Sequence, residues 1–584
     1  MISLIIPLKE KSNMSADKIQ RIARKYALQN AIQFNGKANP KAVAGKVIAH
    51  FKGTNISPKK IFETSTAICS QVNSIPFEKQ IDELKKTAPE LLLKEKKERD
   101  FSLPALPHAE KGKVITRFPP EPNGYLHIGH AKAAIVDYEY ARLYDGKFIL
   151  RFDDTNPEHA ELQFYTVQKE DLQWLGIEWD EQYNTSDNLK AHYKLAEELI
   201  NQGDAYICQC SPDIIKDGRF HSKKCRCREK NAGETLDLWR ELLSSGESQG
   251  AILRLKGDMK SDNTAMRDPT LFRVIDKPHP LQGDTYRVWP TYDFAGAIED
   301  SISGVTHPFR TKEYELRDPV YFHILSLLHL RKPYLMEFSR LSIEGMPVSK
   351  RKIKPLIDNG LVLGYDDIRL PTLRGLKKRG VVPEAIRQFV FSQGISKVES
   401  TVDFSIVEAI NRKILDPQVK RYFFVIDPIK LVISDAPKRK IYLPLHPTKD
   451  MGKRQIETNS DFFVQKQDMQ NMQIGDVFRL KGLYNVKIQE IGDEIRACYD
   501  GEELLPHLAK IQWTTQNHIE MKIFVPGVLF NKDVYNQKSL DELPGYAEKA
   551  VSDISSGEIV QFERVGFVRI EKEKATVVGY FAHK

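Results

Sequence analysis

The sequence predicts a multidomain α/β protein: a parallel-sheet domain covered by helices and carrying an insertion, then a helical subdomain and C-terminal β-barrels. At 584 residues the chain is too long for one ordinary domain. Strand and helix patterns alternate from Lys113 to about residue 204, which is typical of crossover helices on a parallel sheet. Short β-rich runs separated by Gly, Asp and Asn fill residues 425–584 and indicate barrels.

Residues 1–100 are predicted to form a helical region. Ile19, Ile22 and Tyr26 fall on one face of a helix, and Val43 and Val47 repeat the pattern. Prolines at positions 104 and 107 then indicate a linker, because proline has no backbone donor and disfavours helix before it. A new domain is therefore expected to begin near residue 101.

The α/β domain is predicted in two halves, residues 101–204 and 286–335, separated by an insertion at 205–285. The predicted strands are Val114–Phe118, Phe148–Asp153 and Val288–Phe294. The predicted helices are His130–Tyr144, Glu161–Leu175, Asp187–Gln202 and Pro319–Leu330.

The last two regions differ in their patterns. Residues 336–424 are predicted to form a mostly helical subdomain, and residues 425–584 two β-barrels. The clearest strands of the barrels are Lys440–Leu443, Val477–Leu480 and Ile559–Phe562.

The composition is that of a globular protein, with 41% hydrophobic and 28% charged residues. No apolar stretch approaches the roughly 18 residues needed to span a bilayer, and the apolar start is too short for a secretory signal. We therefore expect a cytoplasmic protein without a membrane partner. The net charge of +8 suits a polyanionic partner, although many proteins without one share it.

Four of the six cysteines lie in two Cys-x-Cys pairs, Cys208 with Cys210 and Cys225 with Cys227. Two close pairs of thiolates can hold Zn²⁺ tetrahedrally and so stabilise an insertion that has little core of its own. The alternative is four free thiols in a reducing cytosol. Basic residues around the second pair are either a phosphate-binding surface or simply solvated.

The first strong motif, Arg117-Phe-Pro-Pro-Glu-Pro-Asn-Gly-Tyr-Leu-His-Ile-Gly-His130, lies where a strand leads into a helix. Ligands bind at the carboxyl ends of parallel strands, and a helix N-terminus favours phosphate. His127 and His130 can donate to charge that develops on a phosphate, and Gly129 between them allows close approach. Taken alone, the two histidines could equally be surface residues around a tight turn.

The second motif is Pro347-Val348-Ser349-Lys350-Arg351, about two hundred residues further on. A loop with serine and lysine can close over a triphosphate and balance the charge of departing pyrophosphate. A basic loop by itself is more often only solvated.

Together these motifs resemble the His-Ile-Gly-His and Lys-Met-Ser-Lys-Ser signatures of class I aminoacyl-tRNA synthetases, in particular the glutamyl and glutaminyl branch in its archaeal form. The first motif matches fully, whereas the second departs at Pro347 and around Ser349-Lys350, an abbreviation also seen in this branch. The resemblance covers residues 113–390 and continues through four further segments: Leu150–Pro157, Tyr292–Phe294, Gly304–His307 and Asp366–Thr372.

The resemblance implies a Rossmann-type catalytic domain, an insertion that binds the tRNA acceptor stem, and barrels that bind the anticodon. It implies that His127, His130 and Lys350 are catalytic. It implies an ATP site formed by Glu121, Pro122, Asn123, His127, Gly129, His130, Lys132, Thr311, Arg340, Leu341, Val348, Ser349 and Lys350. The amino acid would be bound by Arg117, Asp153, Tyr292 and Arg310, although Asp153 could instead cap a helix and Tyr292 could belong to the core.

The choice between glutamate and glutamine depends on Arg310. It begins the segment Arg310-Thr-Lys-Glu-Tyr314, where the glutaminyl branch usually has Cys-Thr-Leu-Glu-Phe. A buried γ-carboxylate needs a cationic partner, and Arg310, helped by Arg117, would provide one. The alternative is that Arg310 only forms a salt bridge with Glu313 or Glu315.

The function expected from this resemblance is ATP-dependent attachment of L-glutamate to tRNA-Glu through a glutamyl-adenylate, with release of AMP and pyrophosphate. Mg²⁺ would accompany ATP, the four cysteines would hold a structural Zn²⁺, and the enzyme would be a monomer. Whether tRNA-Gln is a second acceptor stays open. The alternatives are a glutaminyl-tRNA synthetase, a non-catalytic tRNA-binding relative, and a truncated tRNA-nucleoside modifier, which the long β-rich ending disfavours.

Overall fold

The computed structural model describes residues 8–34, 36–51, 56–91, 103–245, 250–532, 534–573 and 576–584. The chain divides into two compact units, residues 1–100 and 101–584. Among the described residues, no helix combines the length and the apolar character needed to cross a membrane.

The described part of the first unit consists of four helices around a small core. Their bounds are Leu8–Gln33 (α1), Pro40–His50 (α2), Pro58–Asn73 (α3) and Phe77–Thr87 (α4). Ile19, Val43 and Val47 are fully buried, as their helical spacing predicts. Asn39 begins α2 by accepting hydrogen bonds from the backbone of Lys41 and Ala42.

The first part of the second unit is built on a three-stranded parallel sheet in the order β1-β2-β3. The strands are Ile115–Phe118 (β1), Lys147–Phe152 (β2) and Glu181–Asn184 (β3). The crossover helices are Ile128–Leu143 (α5) and Leu162–Trp174 (α6), and Leu189–Asn201 (α7) follows β3. The α/β fold class predicted from the alternating pattern is therefore confirmed.

An antiparallel sheet follows, in the order β4-β5-β6-β7. Its strands are Ala205–Cys208 (β4), Ile252–Leu255 (β5), Thr270–Val274 (β6) and Val288–Pro290 (β7). Its helices are Pro212–Phe220 (α8) and Ala232–Ser245 (α9).

The prediction that Val288–Phe294 is one strand that resumes the parallel alternation is wrong. The strand ends at Pro290 and pairs antiparallel with β6. Thr291 is the N-cap of a helix whose first residue is Tyr292. That helix is Tyr292–Ile302 (α10). It is followed by a parallel pair of strands, Phe309–Thr311 (β8) and Met336–Phe338 (β9), with helix Asp318–Leu327 (α11) between them in the chain. Tyr292 is thus placed in a first helical turn.

The next region is mainly helical and contacts the histidine motif. Its elements are Leu341–Ile343 (β10), Lys350–Asp358 (α12), Leu373–Arg379 (α13), Pro383–Gln393 (α14), Ser400–Val402 (β11) and Ser405–Leu415 (α15). The Pro371 carbonyl accepts from Ile128 N (2.9 Å), and Leu373 N donates to the Leu126 carbonyl (2.9 Å). The start of α13 therefore fixes the start of α5.

The C-terminal region forms two barrel-like, seven-stranded sheets within the described residues, in the orders β21-β18-β19-β20-β14-β17-β22 and β12-β27-β28-β29-β23-β26-β13. In chain order, the first twelve strands of this region are Arg421–Tyr422 (β12), Phe424–Ile426 (β13), Pro428–Ser434 (β14), Arg439–Pro444 (β15), Lys453–Thr458 (β16), Asp461–Gln465 (β17), Val477–Leu480 (β18), Asn485–Ile491 (β19), Ile495–Tyr499 (β20), Lys510–Ile511 (β21), Trp513–Thr515 (β22) and His518–Pro526 (β23). The remaining elements are Lys466–Met469 (α16), Phe530–Asn531 (β24), Val534–Tyr535 (β25), Leu540–Glu548 (β26), Ile559–Phe562 (β27), Gly566–Glu573 (β28) and Thr576–His583 (β29).

The hairpin formed by β24 and β25 reaches helix α12. Leu529 just before it is fully buried and packs in one cluster with Ile353 of α12. Phe530 N also donates to the Gly345 carbonyl at 3.3 Å. The hairpin thus supports both sides of the loop that carries Lys350.

Candidate active site

The start of helix α5 holds two stacked imidazoles. His127 Nδ1 accepts from the backbone N–H of Gly129 (3.1 Å) and His130 (3.4 Å), while His130 Nδ1 accepts from His127 N (3.2 Å). The rings lie 3.8 Å apart between centroids. This reciprocal cap satisfies backbone donors at the helix N-terminus that would otherwise lack partners.

The cap also determines where the imidazole protons lie. Burial lowers the pKa of His130 to about 4 and that of His127 well below its usual value. Both rings are therefore neutral at pH 7, and because each Nδ1 accepts, each Nε2 carries the proton. The site offers two N–H donors that add no charge of their own.

Acid should destabilise the protein through His130. The pKa of His130 is about 4 in the folded protein and near 6.5 in the unfolded chain, because burial favours the neutral ring. The unfolded chain therefore binds a proton at this residue more readily as the pH falls. The stability of the fold is unaffected above pH 6.5 and decreases between pH 6.5 and about 4. Relative to the His130→Asn variant, we expect the wild-type protein to lose about 2–3 kcal/mol of unfolding free energy between pH 7 and 4.5, measured by urea unfolding. The exposed His507→Asn variant is the control. Parallel pH curves for wild type and His130→Asn would contradict this prediction.

The two sequence motifs contact each other, although the contacting residues, Asn123 and Lys350, are 227 positions apart in the chain. Lys350 Nζ donates to the Asn123 carbonyl, and its ammonium lies 5.7 Å from the centre of the Phe164 ring. Ser349 begins helix α12, and its carbonyl accepts from Lys352 N and Ile353 N at 3.0 Å. Val348 precedes Ser349 in the same loop, so the loop lies beside the turn that follows β1.

A cavity of about 980 Å³ opens beside these motifs. Four of the predicted site residues line it: Glu121, His130, Asp153 and Tyr292. Three arginines that the sequence did not single out also line it: Arg219, Arg273 and Arg317. Its size and its mixed polar lining suit a ligand of substrate size.

Glu121 lies at the edge of this cavity. It accepts a hydrogen bond from Asn123 Nδ2 and lies 3.2 Å from His159 Nδ1. Burial raises the pKa of its carboxyl group, which His159 partly opposes. The neighbouring Pro122 carbonyl accepts from Glu161 N (3.0 Å), which fixes the turn.

A chain of buried charges lies below the cavity. Arg117 donates to both carboxylate oxygens of Asp300 (2.9 and 3.0 Å), and Arg151 donates to Asp300 (2.8 Å) and to Asp153 (2.9 Å). Burial alone would raise the pKa of Asp300, but the two guanidinium groups hold it below its usual value. Thr185 also donates to the same Asp153 oxygen (2.9 Å). Asp153 is therefore oriented by two donors at the cavity.

Arg310 is the second predicted carboxylate partner, and its side chain is almost completely buried. It forms an ion pair with Asp318 and lies 5.2 Å from the centre of the Tyr321 ring. Its Nε has no hydrogen-bond partner among the described residues. Burial raises the pKa of Tyr292 to about 12, opposed by the nearby charges of Arg117 and Arg310. Both arginines thus lie within electrostatic reach of Tyr292.

Other residues predicted for the ATP site have contacts within the protein. Lys132 is buried, its Nζ donates to the Ser339 carbonyl (2.8 Å), and burial lowers its pKa to about 8. Arg340 donates to Glu313 (2.8 Å). Leu341 is buried at the start of β10, and Thr311 ends β8. The described residues that line the cavity do not include these four.

The four cysteines of the insertion come together. Their sulfur atoms all lie within 4.8 Å of one another, with 3.8 Å between Cys208 and Cys225 and between Cys210 and Cys227. Zn–S bonds of about 2.3 Å in a tetrahedron place sulfurs about 3.8 Å apart, so this donor set fits zinc. The structure thus brings together two pairs that lie 17 residues apart in the sequence.

Loss of this cluster should unfold the insertion locally. We expect Cys210→Ser to lower the zinc content of the protein and its thermal unfolding temperature, since a structural metal contributes folding free energy directly. Metal content measured by mass spectrometry and thermal unfolding followed by circular dichroism test this. Cys498→Ser, outside the cluster, is the matched control. A Cys210→Ser variant with full metal content would rule out this ligand set.

The part of the chain that forms this cavity matches a family model. The model of tRNA synthetases class I (E and Q), catalytic domain, matches residues 113–417. Two models of the anti-codon binding domain of these synthetases match residues 419–500 and 510–571. The chain belongs to the class I (E and Q) tRNA synthetase family.

Similar proteins extend over nearly the whole chain. A glutamate–tRNA ligase of Nitrosopumilus maritimus is 44% identical and covers 97% of this chain and 100% of its own length. The glutamate–tRNA ligase of Cenarchaeum symbiosum is 42% identical over 95% of this chain and 98% of its own. The corresponding protein of Pyrococcus furiosus is 41% identical over 97% and 100%.

Proposed function

We propose that this protein attaches L-glutamate to tRNA-Glu in two steps. The α-carboxylate of glutamate attacks the α-phosphate of ATP, giving glutamyl-adenylate and pyrophosphate. The terminal ribose hydroxyl of the tRNA then attacks the activated carbonyl and releases AMP. The observation that carries this proposal is the meeting of the motifs, with Lys350 bound to the Asn123 carbonyl beside the neutral His127–His130 pair.

The residues act by positioning and by charge. The Nε2–H groups of His127 and His130 donate to phosphate oxygens, and Lys350 balances the charge of the departing pyrophosphate of ATP, which enters with Mg²⁺. Asp153 and Tyr292 hold the ammonium group of glutamate at the cavity. The γ-carboxylate pairs with Arg310, whose buried Nε is unpartnered among the described residues.

The remaining predicted residues belong to the ATP site or to the cysteine cluster. Around ATP we place Glu121, Pro122, Asn123, Gly129, Lys132, Thr311, Arg340, Leu341, Val348 and Ser349. Cys208, Cys210, Cys225 and Cys227 would hold a structural Zn²⁺ that stabilises the insertion.

We propose the following division of the chain. Residues 101–204 and 286–335 form the Rossmann-type catalytic domain, residues 205–285 bind the acceptor stem, and residues 336–424 carry the Ser-Lys loop. The two barrels at 425–584 bind the anticodon, and residues 1–100 form the helical N-terminal region. The enzyme acts as a monomer in the cytoplasm, where tRNA is charged.

Aminoacylation of a total tRNA pool with labelled glutamate and labelled glutamine in parallel tests the function. We expect charging with glutamate only, and sequencing the charged tRNA shows whether tRNA-Gln is also an acceptor. Charging with glutamine only would identify a glutaminyl enzyme, and no charging at all would favour a non-catalytic tRNA-binding relative.

The first step is expected to need bound tRNA. We expect exchange between ATP and labelled pyrophosphate to be negligible with glutamate and ATP alone, and to appear when tRNA is added. Exchange without tRNA would contradict this expectation without affecting the assignment of the substrate.

A further inference from the structure

A second cavity of about 780 Å³ adjoins the candidate active site. It lies on the insertion, between helix α8 and the start of β5. Arg219 and Thr264 line both cavities. The surface of the insertion is therefore connected to the site where the proposed reaction occurs.

Phe220, the last residue of α8, lines this second cavity and exposes 77% of its surface. Its backbone is held firmly: Arg267 Nη1 donates to the carbonyls of Arg219 (2.6 Å) and Phe220 (3.2 Å), and Arg267 Nε donates to the Ser261 carbonyl (2.8 Å). The ring lies nearly perpendicular to the His221 ring, with 4.9 Å between centroids. Most of the Phe220 side chain is thus exposed to solvent, while its backbone is held in place.

The surroundings of Phe220 are basic. Lys216, Lys223, Lys224 and Arg226 are all exposed within the same turn and helix. Of the nearby acids, Asp217 is paired with His221 at 2.9 Å. An exposed aromatic ring among lysines and arginines is the combination that binds single-stranded nucleic acid, because bases stack on the ring and the phosphates meet the cations.

We propose that Phe220 is a stacking platform for an unpaired base of the tRNA 3′ end as that strand passes from the insertion into the catalytic cavity. The proposal rests on the proposed function, because the terminal ribose must reach the first cavity. Arg219 lies at the junction of the two cavities, next to Phe220 in the chain, and contacts the backbone phosphates there. Inside a duplex each base is already stacked on its neighbours on both faces, so the interior of the acceptor stem does not occupy this position.

The test compares two RNA ligands, a full-length tRNA-Glu transcript and the same transcript without its last three nucleotides. Affinities are measured by fluorescence anisotropy for the wild type and for the variants Phe220→Ala, Phe220→Leu and Phe220→Trp. We expect the wild type to bind the full-length transcript about tenfold more tightly than the shortened one, the size of one base stacking on one aromatic ring. Phe220→Ala and Phe220→Leu should lose this preference while binding the shortened RNA normally, and Phe220→Trp should keep it.

Several outcomes would overturn the proposal. Equal weakening of both RNAs in Phe220→Ala would mean that Phe220 contacts the duplex or supports the fold, and no weakening would mean that the ring is not used. Retention of the preference in Phe220→Leu would show that apolar bulk, not stacking, is what matters.

The matched control is Leu143→Ala, which changes an exposed apolar residue at the far end of α5. Glutamate charging by the same wild-type preparation tests the proposed function separately, since the preference for the intact 3′ end can be scored whichever amino acid is attached.

Discussion

The Gly129→Ala variant is expected to form glutamyl-tRNA about 100-fold more slowly than the wild type, with little loss of stability. A Cβ at this position would lie 2.9 Å from Cε1 and 3.0 Å from Nδ1 of His127. The His127 ring must then move, which breaks its cap on α5 and its stacking on His130. A displacement of about 1 Å in a positioned catalytic group costs on the order of 100-fold in rate.

This effect can be separated from a general effect of alanine in a helix. Losing the His127 cap costs about 0.5–2 kcal/mol, and the preference of helices for alanine over glycine, about 0.5–1 kcal/mol, offsets part of it, so Gly129→Ala should not unfold α5. The Gly45→Ala variant is the matched control, because Gly45 lies in α2 and an added Cβ there meets nothing within 4 Å. It should be slightly more stable and fully active. Wild-type kcat in Gly129→Ala, measured by aminoacylation at saturating substrates, would show that the position of the His127 ring does not matter.

The parts of the site that are contiguous in sequence could be predicted from it. The histidine motif is one strand-to-helix turn, so His127, Gly129 and His130 had to lie together wherever the chain folded. The Cys-x-Cys pairs were predicted to meet because zinc chemistry requires four ligands, and their sulfurs do lie together. These predictions could be made because each depends on residues that are close in the sequence and on the chemistry of their side chains.

Arg117 and Asp153 were predicted site residues, but the ion pairs that connect them through Asp300 and Arg151 could not be predicted, because they depend on long-range contacts. Asp300 pairs with Arg117 and Arg151 across 183 and 149 residues, and it lies in a helix with no motif that indicates an ion pair. Arg151 itself lay within a segment of family resemblance, which was the one available signal. The reading of Val288–Phe294 as a single strand failed for a local reason, since Pro290 ends the strand and a helix begins two residues later.

Within the protein, Arg310 pairs with neither Glu313 nor Glu315, the two residues that the sequence suggested as alternatives to the substrate. Residues 312–317 form a short 3₁₀ turn, after which Asp318 begins α11 and returns to Arg310. Glu313 pairs with Arg340 (2.8 Å), and Glu315 pairs with Lys397 (3.0 Å). The order of charged residues in the sequence does not show that this turn brings Asp318, rather than Glu313 or Glu315, to Arg310.

Arg310→Gln is expected to lower kcat/KM for glutamate by about 100-fold or more, mainly through a higher KM. The substituted side chain is neutral, so the γ-carboxylate would be buried against Asp318 without its cation, and losing one partner of a buried charge pair costs roughly 2–5 kcal/mol. Steady-state aminoacylation at varied glutamate concentration measures this. Arg287→Gln, which removes a half-exposed arginine 3.7 Å from Asp276, is the matched control and should leave KM unchanged.

The same variant distinguishes the two arginines near the substrate. If Arg117 were the main partner of the γ-carboxylate, Arg310→Gln would leave the KM for glutamate close to that of the wild type. Arg117, however, already donates from Nε and Nη2 to Asp300 and from Nη1 to the Phe309 carbonyl (2.7 Å), so all three of its nitrogens are engaged. Arg310 pairs with Asp318, but its buried Nε has no hydrogen-bond partner among the described residues. The incoming carboxylate therefore gains more from Arg310, and the discrimination between glutamate and glutamine should fall with it.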